Sequence, residues 1–410
     1  MNNRLLPAHR LSPALLGAIL ICLPVAGWPV SADRQKPEVS TVHQEETGPG
    51  PAGPGTTQML ERAVGYLLAQ QTESGLWHSR HYGNLKQGAG VTALVLYALS
   101  RPGIDLDRQQ QASLQRAIEA LQPGIEQYGF VANPDGPDYS NYGSSMLLLA
   151  GRHDQLTLPE ETRQRLVAYL VRSQLDEDEG FAPTSPDFGG WDLSGWMSGQ
   201  RPTTGSNISV TRSVLEALQH FPEAPGVSTA RDRARCWLQG CRDPQGEGGF
   251  SFHPRNDHDG NKAGWEGPER RIPRSYGSAT ADGILAALDA GYGPDSEPVR
   301  DGLGWLIRHP QVAVVPGFED DGNGRSWREG LKYYWYQALA GLLDQLPEDQ
   351  ARSRAGTVLA VLTEQQQTDG SWSNPEARMR EDDPLIATAF AVIALSRILE
   401  WQTRNGTPDQ

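Results

Sequence analysis

The chain has 410 residues, with 36 Lys plus Arg against 50 Asp plus Glu and a formal charge of −14. That acidic balance argues against nucleic acid or an anionic membrane surface as partner. A hydrophobic fraction of 38%, with 45 Gly and 30 Pro, calls for long polar loops around a core but falls short of a disordered or collagenous composition.

Residues 1–32 have the layout of a secretory signal. Arg4 and Arg10 precede an apolar stretch from Ala14 to Val25, and Val30-Ser31-Ala32 offers a small-residue cleavage site. The expectation is an exported protein, periplasmic or extracellular, cleaved near Ala32. An uncleaved anchor is the alternative, opposed by Pro24, Pro29 and the short apolar core. Residues 33–56, rich in Pro, Gly, Glu and Thr, read as a disordered linker with nothing to fold around. No later stretch is apolar for long enough to span a membrane, so membrane contact stays open but spanning is not expected.

From residue 57 to 402 one unit recurs: an amphipathic helix, a Gly-aromatic turn, a loop and a second helix rich in Ala and Leu. The turn aromatics are Trp77, Phe130, Phe181, Phe250, Phe318 and Trp372. The second helices are anchored at Thr92, Ser144, Thr211, Thr280, Trp335 and Thr388, with Ala281 as the alternative in the fourth unit. In the third and fourth units the gap from aromatic to anchor widens to 30 residues. A helix pair cannot bury its apolar stripe alone, so neighbours must stack. The expected fold is all-α, a closed α/α toroid of six hairpins with the second helices lining the centre; an open solenoid is the alternative. Residues 403–410 read as a flexible tail.

The pattern resembles the QW repeat of squalene cyclases and the related repeat of protein prenyltransferase β subunits. It is carried by Tyr66-Leu67-Leu68 with Gln71 and Gly75-Leu76-Trp77, and by Arg354-Ala355 with Gln366 and Gly370-Ser371-Trp372. The resemblance covers residues 57 to about 400, with the middle four units degenerate. It implies the toroid and an apolar ligand, isoprenoid in character, but not the family's chemistry. The cyclases' Asp-x-Asp-Asp run before an inner-helix Thr-Ala is missing: Pro384-Leu385-Ile386-Ala387, Tyr276-Gly277-Ser278-Ala279 and Gly88-Ala89-Gly90-Val91 hold those places. The prenyltransferases' zinc triad of Asp, Cys and His is not visible either.

Helical periodicity turns positions four and seven after each anchor toward the outer helices, and positions two before, two after and five after toward the lumen. Leu94, Tyr97, Met146, Leu149, Phe390 and Ile393 then make an apolar half, and Ser213, Glu216, Asp282, Leu285, Gln337 and Ala340 a mostly polar one. Glu216 and Asp282, from adjacent inner helices, are the candidate catalytic acid and base; a structural pair, or a salt bridge from Glu216 to Arg212, is the alternative. The long loops carry Trp191, Asp192, Trp196, His253, His258 and Trp265, and Tyr142, Tyr276, Tyr333 and Trp335 fall near the same mouth. Candidate ligand-binding residues are therefore Tyr97, Tyr142, Trp191, Asp192, Trp196, Ser213, Tyr276, Tyr333, Trp335, Gln337 and Phe390.

Other motifs read more plainly. Asp257, Asp259 and Asn261, and Glu319, Asp321, Asn323 and Gly324, alternate oxygen ligands; the second run breaks the EF-hand pattern at Gly330. His78 and His81 lack further ligands nearby, and no metal or cofactor is expected. Asp176-Glu177-Asp178-Glu179 reads as a solvated acidic turn, and Asp382-Asp383 as charge complementing a helix start. Cys236 and Cys241 can bridge only if their helix ends near Gly240. The functional expectation is an exported toroid that binds a small apolar or amphiphilic molecule in its centre, with no nucleic-acid partner and the oligomeric state open. The alternatives are a carbohydrate-active enzyme and a non-catalytic envelope scaffold.

Overall fold

A computed structural model describes residues 55–82, 87–133, 139–193, 205–243, 245–254, 261–266, 272–319 and 327–406. The signal, nearly all of the linker, Trp196, His258 and the acidic runs at 257–259 and 321–324 lie outside the described residues.

Helices α1 (Thr56–Ala69), α3 (Arg108–Tyr128), α5 (Glu160–Arg172), α7 (Val227–Gly240), α9 (Glu297–Arg308) and α12 (Glu348–Gln365) alternate along the chain with a second set. That set is α2 (Ala89–Leu99), α4 (Ser140–Ala150), α6 (Ile208–Leu218), α8 (Gly277–Asp289), α11 (Lys332–Ala340) and α13 (Pro384–Arg404). A short α10 (Trp327–Gly330) and a two-stranded pair, β1 (Trp265–Glu266) against β2 (Ile272–Pro273), lie in the long connections.

The two sets differ as burial demands. Helix α3 buries one stripe, Leu114, Ala117, Ile118, Leu121 and Ile125, at helical spacing. It starts on a reciprocal cap between Asp107 and Gln110. Every residue of α2 is buried, as expected of a helix covered on all sides. The second set packs in a closed cycle, α2 on α4, α6, α8, α11, α13 and back to α2. Helix α13 is long and apolar enough to cross a membrane, contrary to the reading that no such stretch follows the signal, but it is largely buried in this cycle. It also runs through Arg404, so the expected tail begins later than residue 403.

The Gly-x-Trp turns lock the two sets together. Trp77 donates its backbone N–H to Thr92 Oγ1 at 2.9 Å and its indole N–H to the Leu67 carbonyl at 2.6 Å. Trp372 repeats this with Thr388 at 3.0 Å and Leu362 at 2.9 Å. Gln366 donates to the carbonyls of Gly370 at 3.0 Å and Met59 at 2.9 Å, tying the last unit to the first helix. Gly370, at φ +92°, sits so close to α1 that a Cβ would lie 2.4 Å from the Arg62 carbonyl oxygen. This seam closes the ring.

The third unit departs from its sequence reading. Its turn aromatic is Trp191, not Phe181. Trp191 donates to Thr211 Oγ1 at 3.1 Å and to the Leu170 carbonyl at 2.7 Å, and Gln174 donates to Gly189 and Ala230 carbonyls at 2.9 and 2.8 Å. The acidic segment around 176–188 is an insertion between Gln174 and Gly189, which spoiled the spacing. In the second unit Val131 rather than Phe130 donates to the anchor, Ser144 Oγ, at 3.0 Å. In the fourth, Phe250 donates to Thr280 Oγ1 at 3.0 Å, which makes Thr280 the anchor over Ala281. Five anchors, Thr92, Ser144, Thr211, Thr280 and Thr388, carry hydroxyls that accept a turn N–H which burial would otherwise leave unpaired; Trp335 in the fifth unit does not.

The acidic turn is not fully solvated. Asp176 is buried and pairs with Arg233 at 2.6 Å. Cys236 is exposed and Cys241 buried at the end of α7, and they are not bridged.

Candidate functional site

The inner helices begin around a cavity of about 250 Å³. Its wall is made by Leu94 of α2, Tyr142 of α4, Val210 of α6, Tyr334 of α11, and Ile386 and Phe390 of α13, with Phe252 and Tyr139 from the connections. Tyr334 meets Phe390 edge to face, with ring centroids 5.4 Å apart.

Three cations stand at this wall: Lys262, Arg378 and Arg380. Lys262 Nζ lies 3.0 Å from the centroid of Phe252 and 5.5 Å from that of Trp327. Burial pushes Lys262 down to about 7, against the opposing pull of the Asp282 charge. Arg380 lies 5.0 Å from the Tyr82 ring and 5.2 Å from the Tyr139 ring. Its φ of +62° is the one left-handed non-glycine backbone among the described residues. Its Nη1 is buried with no hydrogen-bond partner.

Asp282 lies fully buried one hydrogen bond behind the wall. Its Oδ2 accepts from Tyr334 Oη at 2.8 Å and from Ser209 Oγ at 3.1 Å, and both donors line the cavity. Its Oδ1 has no partner. Burial pushes Asp282 up to about 6, against Arg212, these two hydrogen bonds and Lys262. Nearby Glu381, also fully buried, accepts from the backbone N–H of Tyr333 at 3.1 Å and of Tyr334 at 2.8 Å, and so caps α11. Burial pushes it up to about 7 despite these donors. Asp383 caps α13 through Leu385 N at 3.0 Å and accepts from Ser79 Oγ at 2.5 Å, while Asp382 accepts from Tyr82.

No family model matches the chain, and no curated protein matches it in sequence. Solved structures do match. Type II terpene cyclase MstE from Scytonema superposes with a TM-score of 0.54 at 15% identity, covering 84% of this chain and 99% of that one. An unsaturated glucuronyl hydrolase specific for heparin reaches 0.58 at 12% identity, over 85% and 98%. A variant α-1,6-mannanase of Salegentibacter sp. HEL1_6 gives 0.54 at 14%, over 84% and 99%. The chain has the α/α-toroid fold shared by these proteins. At these identities the likeness speaks for the fold alone.

The toroid separates the residues that the sequence grouped. Glu216 does not share the Asp282 cavity; it lies toward the other end of α6, where its Oε1 accepts from Arg397 at 2.9 Å and from Tyr97 Oη at 3.1 Å, and its Oε2 pairs with Arg212 at 2.7 Å. Although burial opposes it, the Arg212, Arg397 and Arg101 charges hold Glu216 down at about 2. The salt-bridge alternative is thus the observed arrangement. Tyr97 and Gln337 belong to the same polar network, Gln337 accepting from Arg397 at 3.0 Å. Ser213 bonds Ser145 at 3.1 Å across two inner helices.

Of the expected ligand-binding aromatics, Tyr142 and Phe390 line the cavity. Trp191 is the buried turn residue described above. Asp192 is buried and receives Asn141 Nδ2 at its carbonyl, 3.0 Å away. Tyr276 packs on Phe318 at 4.9 Å. Tyr333 reaches outward to Gln365 at 3.2 Å, and Trp335 donates to the Val312 carbonyl at 2.9 Å. Tyr333 and Trp335 flank Tyr334, which takes the position on the cavity wall. Tyr334, Phe252, Lys262 and Arg380 were missed. Tyr334 could have been found as the position one before the anchor, which Val91 and Val210 also occupy on the wall.

His253 is buried against Asp187 at 3.1 Å, which together with Ser206 holds Asp187 down at about 2 against its burial. Among the described residues no group of three His, Cys, Asp or Glu could hold a metal ion.

Proposed function

We propose that the toroid binds an amphiphilic molecule in this cavity, its apolar part against Leu94, Val210, Ile386 and Phe390 and an anionic head toward Lys262, Arg378 and Arg380. The carrying observation is the pairing of an apolar wall with cations that lack a close carboxylate: Arg378 has only Glu376 at 3.9 Å, and Lys262 and Arg380 have none among the described residues. The inner helices also direct their N-termini here, which adds positive potential. An isoprenoid carrying an acidic group suits this description. A variant of the cyclase MstE in complex with geranylgeranyl dihydroxybenzoate as substrate supports that choice.

In this reading Asp282 is the group that exchanges a proton with the ligand, through Tyr334 and Ser209, and Glu216 holds the ring's arginines in place. The carbohydrate-active alternative keeps the support of the glycosidase neighbours, but not of a Glu216–Asp282 pair. The layout of residues 1–32 supports action after export; a mature chain beginning at Asp33 is the expected result of N-terminal sequencing.

The test is a fluorescence titration with farnesyl phosphate and farnesol. The phosphate should bind about tenfold more tightly or better, and Arg380→Gln should erase most of that difference. Leu94→Trp should fill the cavity and abolish both. Equal binding of both probes overturns the head-group assignment, and unimpaired binding by Leu94→Trp overturns the cavity assignment.

A further inference from the structure

The toroid has a second cavity, of about 240 Å³, where the inner helices end. It shares no lining residue with the first. Five arginines line it: Arg101, Arg152, Arg212, Arg397 and Arg404. Four are committed. Arg101 pairs with Glu400, Arg212 and Arg397 hold Glu216 at 2.7 and 2.9 Å, and Arg404 holds Asp344 at 2.6 Å.

Arg152 is the exception. It is exposed at the cavity wall, and its guanidinium has no ion pair or hydrogen bond among the described residues. Arginines at helix ends commonly serve the carbonyls there, and others do so here. Arg231 and Arg235 donate to the carbonyls of Asp289 and Ala290 at 3.0 and 3.2 Å, and Arg397 to that of Gln337 at 2.8 Å. Arg152 serves none.

Around it stand groups suited to hydroxyls. His220 lines the same cavity and His153 follows Arg152 in the chain; burial and the neighbouring arginine charges push both down to about 4, so they are neutral near pH 7. Asp289 accepts from Gln219 Nε2 at 2.6 Å. Burial and the Glu216 charge push it up to about 7, which allows it to donate as well as accept. A guanidinium that feels the Glu216 charge across the cavity but forms no ion pair, beside neutral donors and acceptors, suits a ligand with one acidic group and several hydroxyls.

We propose that this cavity binds a small hydroxylated carboxylate of the hexuronic-acid class, Arg152 taking the carboxylate and His220, Gln219 and Asp289 the hydroxyls. The site is independent of the amphiphile cavity.

Calorimetric titration of the whole chain with galacturonate, galactose and acetate tests it. Galacturonate should bind more tightly than either fragment probe, and Arg152→Gln should weaken it about tenfold or more while leaving the melting temperature unchanged. His220→Ala should weaken galacturonate but not acetate. Acetate binding as tightly as galacturonate would reduce the cavity to a plain anion site, and galactose binding as tightly would remove the role of Arg152. Either result overturns the proposal, as does absence of galacturonate binding or unchanged affinity in Arg152→Gln.

Discussion

The same inner helices build two unlike cavities. Their N-terminal ends enclose an apolar space with three loosely held cations, while their C-terminal ends enclose arginines and carboxylates that mostly hold one another. The buried acids show the difference directly. Asp282, with hydroxyl partners, is pushed up to about 6, whereas Glu216, among three arginines, is held at about 2. Two carboxylates on neighbouring helices thus become a weaker acid and a structural anion through their partners: at Asp282, which forms no ion pair, desolvation outweighs the pull of Arg212 and Lys262, whereas at Glu216 paired arginines outweigh desolvation.

The largest break in this contrast should come from Glu216→Ala. It strands Arg212 and Arg397 without their anion, at a cost of roughly 3–5 kcal/mol, read by denaturant unfolding. Trp191→Ala should cost about 3–5 kcal/mol as well, since it removes a fully buried indole and its hydrogen bond to the Leu170 carbonyl. Phe181→Ala, at a half-buried position, should cost less than about 1.5 kcal/mol. Equal costs would undo the assignment of the third turn.

Asp282→Asn sharpens the comparison through pH. The folded pKa of Asp282, about 6, lies above its ordinary value of 3.8, so its stabilising contribution is full below pH 4 and is lost as pH rises through 6. Asparagine cannot ionise. The stability difference between variant and parent should therefore move in the variant's favour between pH 4 and 7, by up to about 3 kcal/mol. A difference that stays flat across that range would place Asp282 in a wetter setting. The smallest effect is expected from Arg380→Gly, which relieves a left-handed backbone and should stabilise the fold by about 1 kcal/mol while weakening an anionic probe in the cavity where the inner helices begin.

Much of the fold was legible from Trp77, Trp372 and the hydroxyl anchors, because a short Gly-x-Trp turn brings its glutamine, glycine and tryptophan together within one stretch of chain. The third turn was misread although Gly189-Gly190-Trp191 is plain in the sequence; an insertion after Gln174 moved it out of register. Asp282 and Phe390 were reached by helical periodicity alone. Tyr276, Tyr333 and Trp335 were misplaced, since a helix start can turn by one position without changing its pattern.

Local sequence therefore determined the alternation of outer and inner helices and the hydroxyl anchors, since each depends on contacts within one stretch of chain and on the 3.6-residue period. Only the tertiary structure decided which carboxylate holds its proton to higher pH, which tyrosine reaches the cavity and where cations gather. Arg397 meets Glu216, Lys262 influences Asp282, and Gln366 closes the ring on Met59 across long stretches of chain. Such pairings follow from the closure of the ring, which no local pattern contains.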